Sequence, residues 1–336
     1  MTDVTVKDRQ LVEVDSTESP IPAADTRTAL LHFEHVSKWY GAVIGVNQVT
    51  LSLHGGITGL VGANGAGKST LLRLATGQLR PDLGSVTVAG RDAWSWQSKA
   101  KIGYCPDTDV CYDEMSGIRF VEAMALLCGY TRSEARDRAT STIGTVGMAG
   151  QAHRVIGGYS KGMRQRIKLA AALIHDPQLI VLDEPLSGID PVGRRDFLDL
   201  FRKLADQGKC LLISSHELEA IEKLTDHVAV MSRGRLAAVG TLAKIRDLFE
   251  DMPLSVRIDC DRPRDLAARL VLSADVAGVD AAGGPTLVVR AGNPRRFFQS
   301  LTKLVLEEGY DVTHLEPLDE SAHAILGYLL GGSGKT

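Results

Sequence analysis

The chain has 336 residues, 44% of them hydrophobic and 24% charged, with a formal net charge of -3; this is a globular composition, long enough for two or three domains and without the basic surplus of a nucleic-acid binder. No apolar run approaches the roughly 20 residues that cross a bilayer, and the N-terminus lacks the apolar core of a secretory signal, so any tie to a membrane is expected to come through a partner. Five cysteines (Cys105, Cys111, Cys128, Cys210 and Cys260) include no C-x-x-C pair, which points to a reducing cytoplasmic compartment and away from a structural zinc site.

Residues 1–28 are polar and contain "SPIP", and read as a disordered tail. From Ala29 the pattern changes. "ALLHFEHVSKWY" and "VNQVTLSLHGG" alternate like strands, and "ITGLVGANGAGKSTLLRLATG" reads as a short apolar strand, a glycine-rich loop and a helix. The stretch 115–175 reads as mostly helical, with Thr131 and Glu134 spaced as a capping box, and is expected to be a helical insertion. "LIVLDEP" and "CLLISSH" are short apolar runs that end in polar residues. Buried parallel strands have this form, with function at their carboxyl ends. An α/β domain over 29–245 follows from this order.

Beyond Met252 the pattern changes again. "LSVRIDC" reads as a strand, "PRDLAARLVLS" as a helix and "VAGVDAAGGPTLVVRAG" as a hairpin turning near Gly283 and Gly284. In "NPRRFFQSLTKLVLEEG", Asn293 is placed as N-cap, Pro294 at the first helical position, and Phe297, Leu301, Leu304 and Val305 as the apolar stripe. With the strand "YDVTHLEPL" and a last helix, residues 253–336 read as a split-βαβ (ferredoxin-like) α+β accessory domain. This segment carries no phosphate loop and no catalytic constellation.

"GANGAGKST" comprises Gly62, Ala63, Asn64, Gly65, Ala66, Gly67, Lys68, Ser69 and Thr70 and matches the phosphate-binding loop G-x-x-x-x-G-K-[ST]. Its glycines let backbone N–H groups wrap a phosphate chain, Lys68 reaches the terminal phosphates, and the Ser69 hydroxyl is placed for Mg2+. Asp183 ends a buried strand, where an unpaired carboxylate is costly and a magnesium ion would satisfy it. Glu184, next to it, is positioned to orient and deprotonate an attacking water. His216 closes another strand as a candidate catalytic residue. Asp190, before Pro191, suits a helix N-cap and can also serve nucleotide. In "YSKGMRQR", Ser160 and Gly162 open a helix whose first N–H groups suit an anion, yet nothing in that stretch supplies one.

The phosphate loop, "YSKGMRQR", "LIVLDEP", "SGID" and "SSH", in this order, resemble the ATP-binding subunit of ABC transporters over roughly residues 30–240. The resemblance implies a P-loop NTPase cassette that binds and hydrolyses ATP with Mg2+ at the cytoplasmic face of a membrane. Its partners would be a separate transmembrane permease subunit and a second ATP-binding subunit, with no direct contact to nucleic acid. In that family two cassettes pack head to tail, so Ser160 and Gly162 would cap the γ-phosphate held by the opposite subunit's loop. Tyr40 stands where the family stacks an aromatic ring on adenine. Asp107 stands where the family has a glutamine that touches magnesium and the membrane partner; a carboxylate there still binds a cation but cannot donate a hydrogen bond. The form "YSKGM" points to an exporter subunit. An importer ATPase with a C-terminal ligand-sensing domain, and a soluble ABC ATPase, are the alternatives.

Overall fold

The computed structural model describes residues 29–245, 254–281 and 284–318; the expected N-terminal tail and last helix lie outside them. Strands β1 (Leu31–Tyr40), β2 (Val43–Leu53), β4 (Leu83–Val88) and β5 (Arg91–Asp92) form an antiparallel sheet in the order β2-β1-β4-β5. Six further strands form the central sheet: β3 (Gly56–Val61), β6 (Ile102–Cys105), β7 (Leu179–Leu182), β8 (Cys210–Ser215), β9 (His227–Ser232) and β10 (Arg235–Thr241), in the order β10-β9-β3-β8-β7-β6. All neighbours in it run parallel except β10, which turns back on β9.

The all-apolar run at β7 follows from burial on both faces. Leu179 and Val181 pack with α1 (Lys68–Ala75) and the antiparallel sheet, through Leu71, Leu72, Phe33 and Leu31. Ile180 and Leu182 face the opposite layer, where α6 (Pro191–Asp206) contributes Phe197 and Phe201. A one-turn helix α2 (Trp96–Lys99) precedes β6, and the helices α3 (Gly117–Leu127), α4 (Arg132–Thr145) and α5 (Lys161–Leu173) fill the 115–175 stretch. The expected capping box closes α4: Thr131 Oγ1 accepts from the Glu134 N–H, and the Glu134 carboxylate accepts from the Thr131 N–H. Helix α5 stops two residues short of the expected His175, because Asp176 takes φ 55° and Pro177 follows.

The described residues between 254 and 318 build a separate four-stranded antiparallel sheet. Its strands are β11 (Leu254–Cys260), β12 (Val276–Asp280), β13 (Thr286–Ala291) and β14 (Val312–Pro317), in the order β12-β13-β11-β14, with helices Pro263–Val271 and Pro294–Glu308 in the connections. This is the split-βαβ order. Asn293 caps the second of these helices by accepting from the Arg296 N–H at 3.0 Å. Of the expected stripe, Phe297 and Leu301 are fully buried, Leu304 and Val305 pack at its margin, and Phe298 joins them.

Candidate active site

The parallel strands bring their carboxyl ends to one edge. The β3-to-α1 loop, the end of β7 and the end of β8 lie side by side there, because β3 and β7 both pair with β8. The Gly62–Thr70 loop has the backbone expected of a phosphate cradle. Gly65 and Gly67 take φ of 81° and 103°, and a Cβ on Gly67 would lie 2.4 Å from the Gly45 carbonyl, so only glycine fits. No side chain caps α1, which leaves its first-turn N–H groups directed at the loop. Lys68, although only 6% exposed, donates through Nζ to the carbonyls of Gly62 and Ala63 and lies 3.4 Å from Glu184 Oε1. This set of donors, an uncapped helix N-terminus plus a lysine, fits a phosphate chain. Ala63, Asn64, Gly65 and Ser69 are exposed along it. Tyr40, at the end of β1, is half-exposed beside the loop, with its hydroxyl 3.4 Å from Thr70 Oγ1.

Asp183 is buried and Glu184 follows it in a left-handed conformation, φ 46°. For a residue with a Cβ that geometry costs on the order of 1–2 kcal/mol, and three bonds hold it. The Ser214 hydroxyl donates to Asp183 Oδ1 at 2.6 Å and accepts from the Glu184 N–H at 2.9 Å. The Asp183 N–H donates to the Cys105 carbonyl at 2.9 Å. The Glu184 side chain then turns toward the loop: Oε2 lies 2.8 Å from His216 Nδ1 and Oε1 faces Lys68. Lys68, placed in the phosphate loop by sequence reasoning, and Glu184 and His216, placed at two strand ends, thus form one contact group around Glu184. Sequence reasoning does not single out Ser214; its only signal is its place, with Ser215, at the polar end of the apolar run of β8. Ser214→Ala would leave the buried Asp183 carboxylate without its donor, at a cost of about 1–3 kcal/mol. Thermal denaturation should show a lowered midpoint, and an unchanged midpoint would contradict this role.

Asp190 is the N-cap of α6, its Oδ1 accepting from the N–H groups of Val192 and Gly193 at 3.1 and 2.9 Å. Those amides, Gly193 first, hold its carboxyl below the usual carboxylate range. Ser160 is the N-cap of α5 and accepts from the Met163 N–H at 3.3 Å. A Cβ on Gly162 would meet only the Ile189 side chain, at 3.9 Å, an ordinary contact, so nothing in this chain requires glycine there.

Asp107 lies two residues past β6, exposed, in a segment held by α5. The buried Lys168 ammonium donates to the carbonyls of Pro106, Asp107 and Thr108 at 2.8, 3.2 and 3.2 Å. Arg164 pairs with Asp109 and Asp113, both at 2.7 Å. Nearby thiol chemistry is disfavoured: burial pushes Cys105 up to about 12 and Cys111 up to about 11, so neither is a thiolate at neutral pH. Among the described residues, no group of three or more His, Cys, Asp or Glu could hold a metal ion. The residues expected to hold Mg2+, namely Ser69, Asp183 and Asp107, offer oxygen donors alone. That is the all-oxygen environment Mg2+ prefers.

Fold and site together define a P-loop nucleotide-binding cassette. The ABC transporter family model matches residues 46–187. The daunorubicin/doxorubicin resistance ATP-binding protein DrrA of Streptomyces peucetius is 31% identical over 283 residues, covering 83% of this chain and 84% of that one. An uncharacterised ABC transporter ATP-binding protein of Synechocystis sp. is 35% identical over 220 residues, and the match spans 62% of each chain. A solved ATP-binding subunit of an ABC transporter, 28% identical, matches with a TM-score of 0.60 over 66% of this chain and 93% of that one. The chain belongs to the family of ABC transporter ATP-binding proteins. Among the described residues no helix is long and apolar enough to cross a membrane.

Proposed function

We propose that this chain binds ATP with Mg2+, hydrolyses it, and powers export through a separate transmembrane subunit from the cytoplasmic face of the membrane. The observation that carries the catalytic part is the placement of Glu184, its carboxylate held between His216 Nδ1 at 2.8 Å and Lys68 Nζ at 3.4 Å beside the glycine-rich loop. The loop N–H groups and Lys68 bind the phosphates, and Tyr40 offers its ring to the base. Glu184 takes a proton from a water as that oxygen bonds to the γ-phosphorus and the bond to the bridging oxygen of ADP breaks. His216 holds the Glu184 carboxylate in line. Mg2+, held by Ser69 and Asp183, would neutralise charge on the phosphates. Two copies facing head to tail complete each site, with Ser160 and the N–H groups at Gly162 directed at the opposite γ-phosphate; the intramolecular freedom at Gly162 supports this. Export is favoured by similarity to DrrA, whose name records a resistance function. The groove beside the 106–113 segment, lined by Tyr104, Val110, Tyr112, Phe120 and Met124, offers the membrane subunit an apolar surface.

The same reading gives Asp107 a role at the metal. A carboxylate there strengthens cation binding relative to glutamine but adds negative charge where the attacking oxygen must approach. Asp107→Gln should raise basal ATP turnover and raise the Mg2+ concentration needed for the half-maximal rate. Phosphate release across a magnesium titration checks both. If neither value moves, Asp107 is a turn residue. The proposal as a whole is tested by copurification from the native membrane, where a transmembrane subunit should accompany the chain and stimulate its ATPase.

A further inference from the structure

The Glu184–His216 pair has a support behind it. Glu217 Oε1 lies 3.8 Å from His216 Nε2. The two Glu217 carboxylate oxygens accept from both arms of the Arg194 guanidinium, at 2.8 and 3.3 Å. The third donor of that guanidinium, Nε, bonds the Ile189 carbonyl at 3.2 Å. Glu217 is fixed from the other side by Ser215, whose hydroxyl accepts from the Glu217 N–H at 2.9 Å and donates to its carbonyl at 3.2 Å. The turn that Arg194 grips touches the start of α5. A Cβ on Gly188 would fall 2.5 Å from Lys161 Nζ, and the Ile189 side chain is the sole neighbour within 4 Å of a Cβ on Gly162. A continuous series of contacts therefore runs from the N-terminal turn of α5 through residues 187–190, Arg194 and Glu217 to His216 and Glu184.

We propose that Arg194 and Glu217 are positioning residues for hydrolysis, holding His216 against Glu184 and tying that contact to the 187–190 turn. The inference rests on the roles proposed above for Glu184 and His216. The pair is only partly buried, 32% and 42% exposed, so it contributes little to stability. Its value is geometric: the planar guanidinium uses three donors in fixed directions, two on one carboxylate and one on a backbone carbonyl. A methionine or a glutamine in either place leaves the fold intact and lets the imidazole drift.

The test uses the full chain, with Arg194→Met, Glu217→Gln and their combination made in the wild-type and in the His216→Ala backgrounds. Single-turnover ATP hydrolysis reads the slow variants, and steady-state assays give kcat and KM. Each single change should lower kcat about tenfold, short of the roughly 100-fold that a full 1 Å misplacement can cost, with KM for ATP within twofold and an unchanged melting midpoint. The double variant should be no slower than the slower single one, since the two residues act as a unit. On the His216→Ala background neither change should slow hydrolysis further. Arg194→Lys, which keeps the charge but loses the fork, should fall between wild type and Arg194→Met. Unaltered kcat in both singles, or losses that persist in full without His216, would overturn the proposal. Equal turnover by wild type and His216→Ala would instead remove the reading on which it rests.

Discussion

Glu184→Gln should keep ATP affinity and lose hydrolysis by at least about 100-fold, the lower end of the range for removing a general base. The substitution is nearly isosteric and keeps the contacts that place it: the backbone still donates to Ser214, and His216 Nδ1 still finds an oxygen. What disappears is the capacity to accept the water's proton. Lys68 also loses its carboxylate neighbour 3.4 Å away, so a phosphate chain meets less negative charge, and affinity should hold or rise. The variant should accumulate as an ATP-bound dimer in size-exclusion chromatography with light scattering. Near-normal phosphate release would take Glu184 out of the base role.

Ser160→Arg should block hydrolysis as completely while leaving ATP affinity of the isolated subunit nearly intact. Within one chain Ser160 does no more than cap α5, accepting from Met163 at 3.3 Å, and loss of such a cap costs about 1 kcal/mol. Among the described residues the Ser160 hydroxyl accepts from Met163 alone, with no hydrogen bond to the loop from Gly62 to Thr70. A block of turnover must then come from the opposite subunit's nucleotide, which the bulky side chain would keep from α5. Mixing Ser160→Arg with Lys68→Ala subunits restores one site with both halves sound: the loop of the first variant and the Ser160 of the second. Lost ATP binding by isolated Ser160→Arg subunits would contradict the shared-site reading.

The two outcomes depend on features that differ in how openly the sequence displays them. The Gly62–Thr70 loop is legible because its chemistry is local: the spacing sets left-handed glycines and a lysine at one helix start, and the structure has them so. Asp183, Glu184 and His216 are legible as the polar ends of apolar strands. That His216 meets Glu184 at 2.8 Å is not, because residues 32 apart come together only through pairing of β7 with β8. Ser214 was hidden for the same reason. As one letter of "CLLISS" it looks like a strand residue, and its bonds to Asp183 and Glu184 appear only in the sheet. Arg194 and Glu217 resemble solvated charges on helix and turn until the guanidinium is seen gripping both Glu217 and Ile189. The hairpins β4–β5 and β9–β10 also escaped the sequence, since short strands closed by the turns at Gly90 and Gly234 carry little periodicity. In β1 and β2 the left-handed His35 and Gln48 lie within the strands, where the pairing register shifts, a feature that no alternation pattern reveals.

The central claim, that this chain is an ATPase whose chemistry sits at Lys68 and Glu184, is tested most directly by phosphate release from ATP with Mg2+ by the full chain. Wild type, Lys68→Ala and Glu184→Gln should be compared beside equilibrium ATP binding. The expected result is turnover in wild type alone, with binding lost in Lys68→Ala and kept in Glu184→Gln. Equal phosphate release by all three proteins would contradict it.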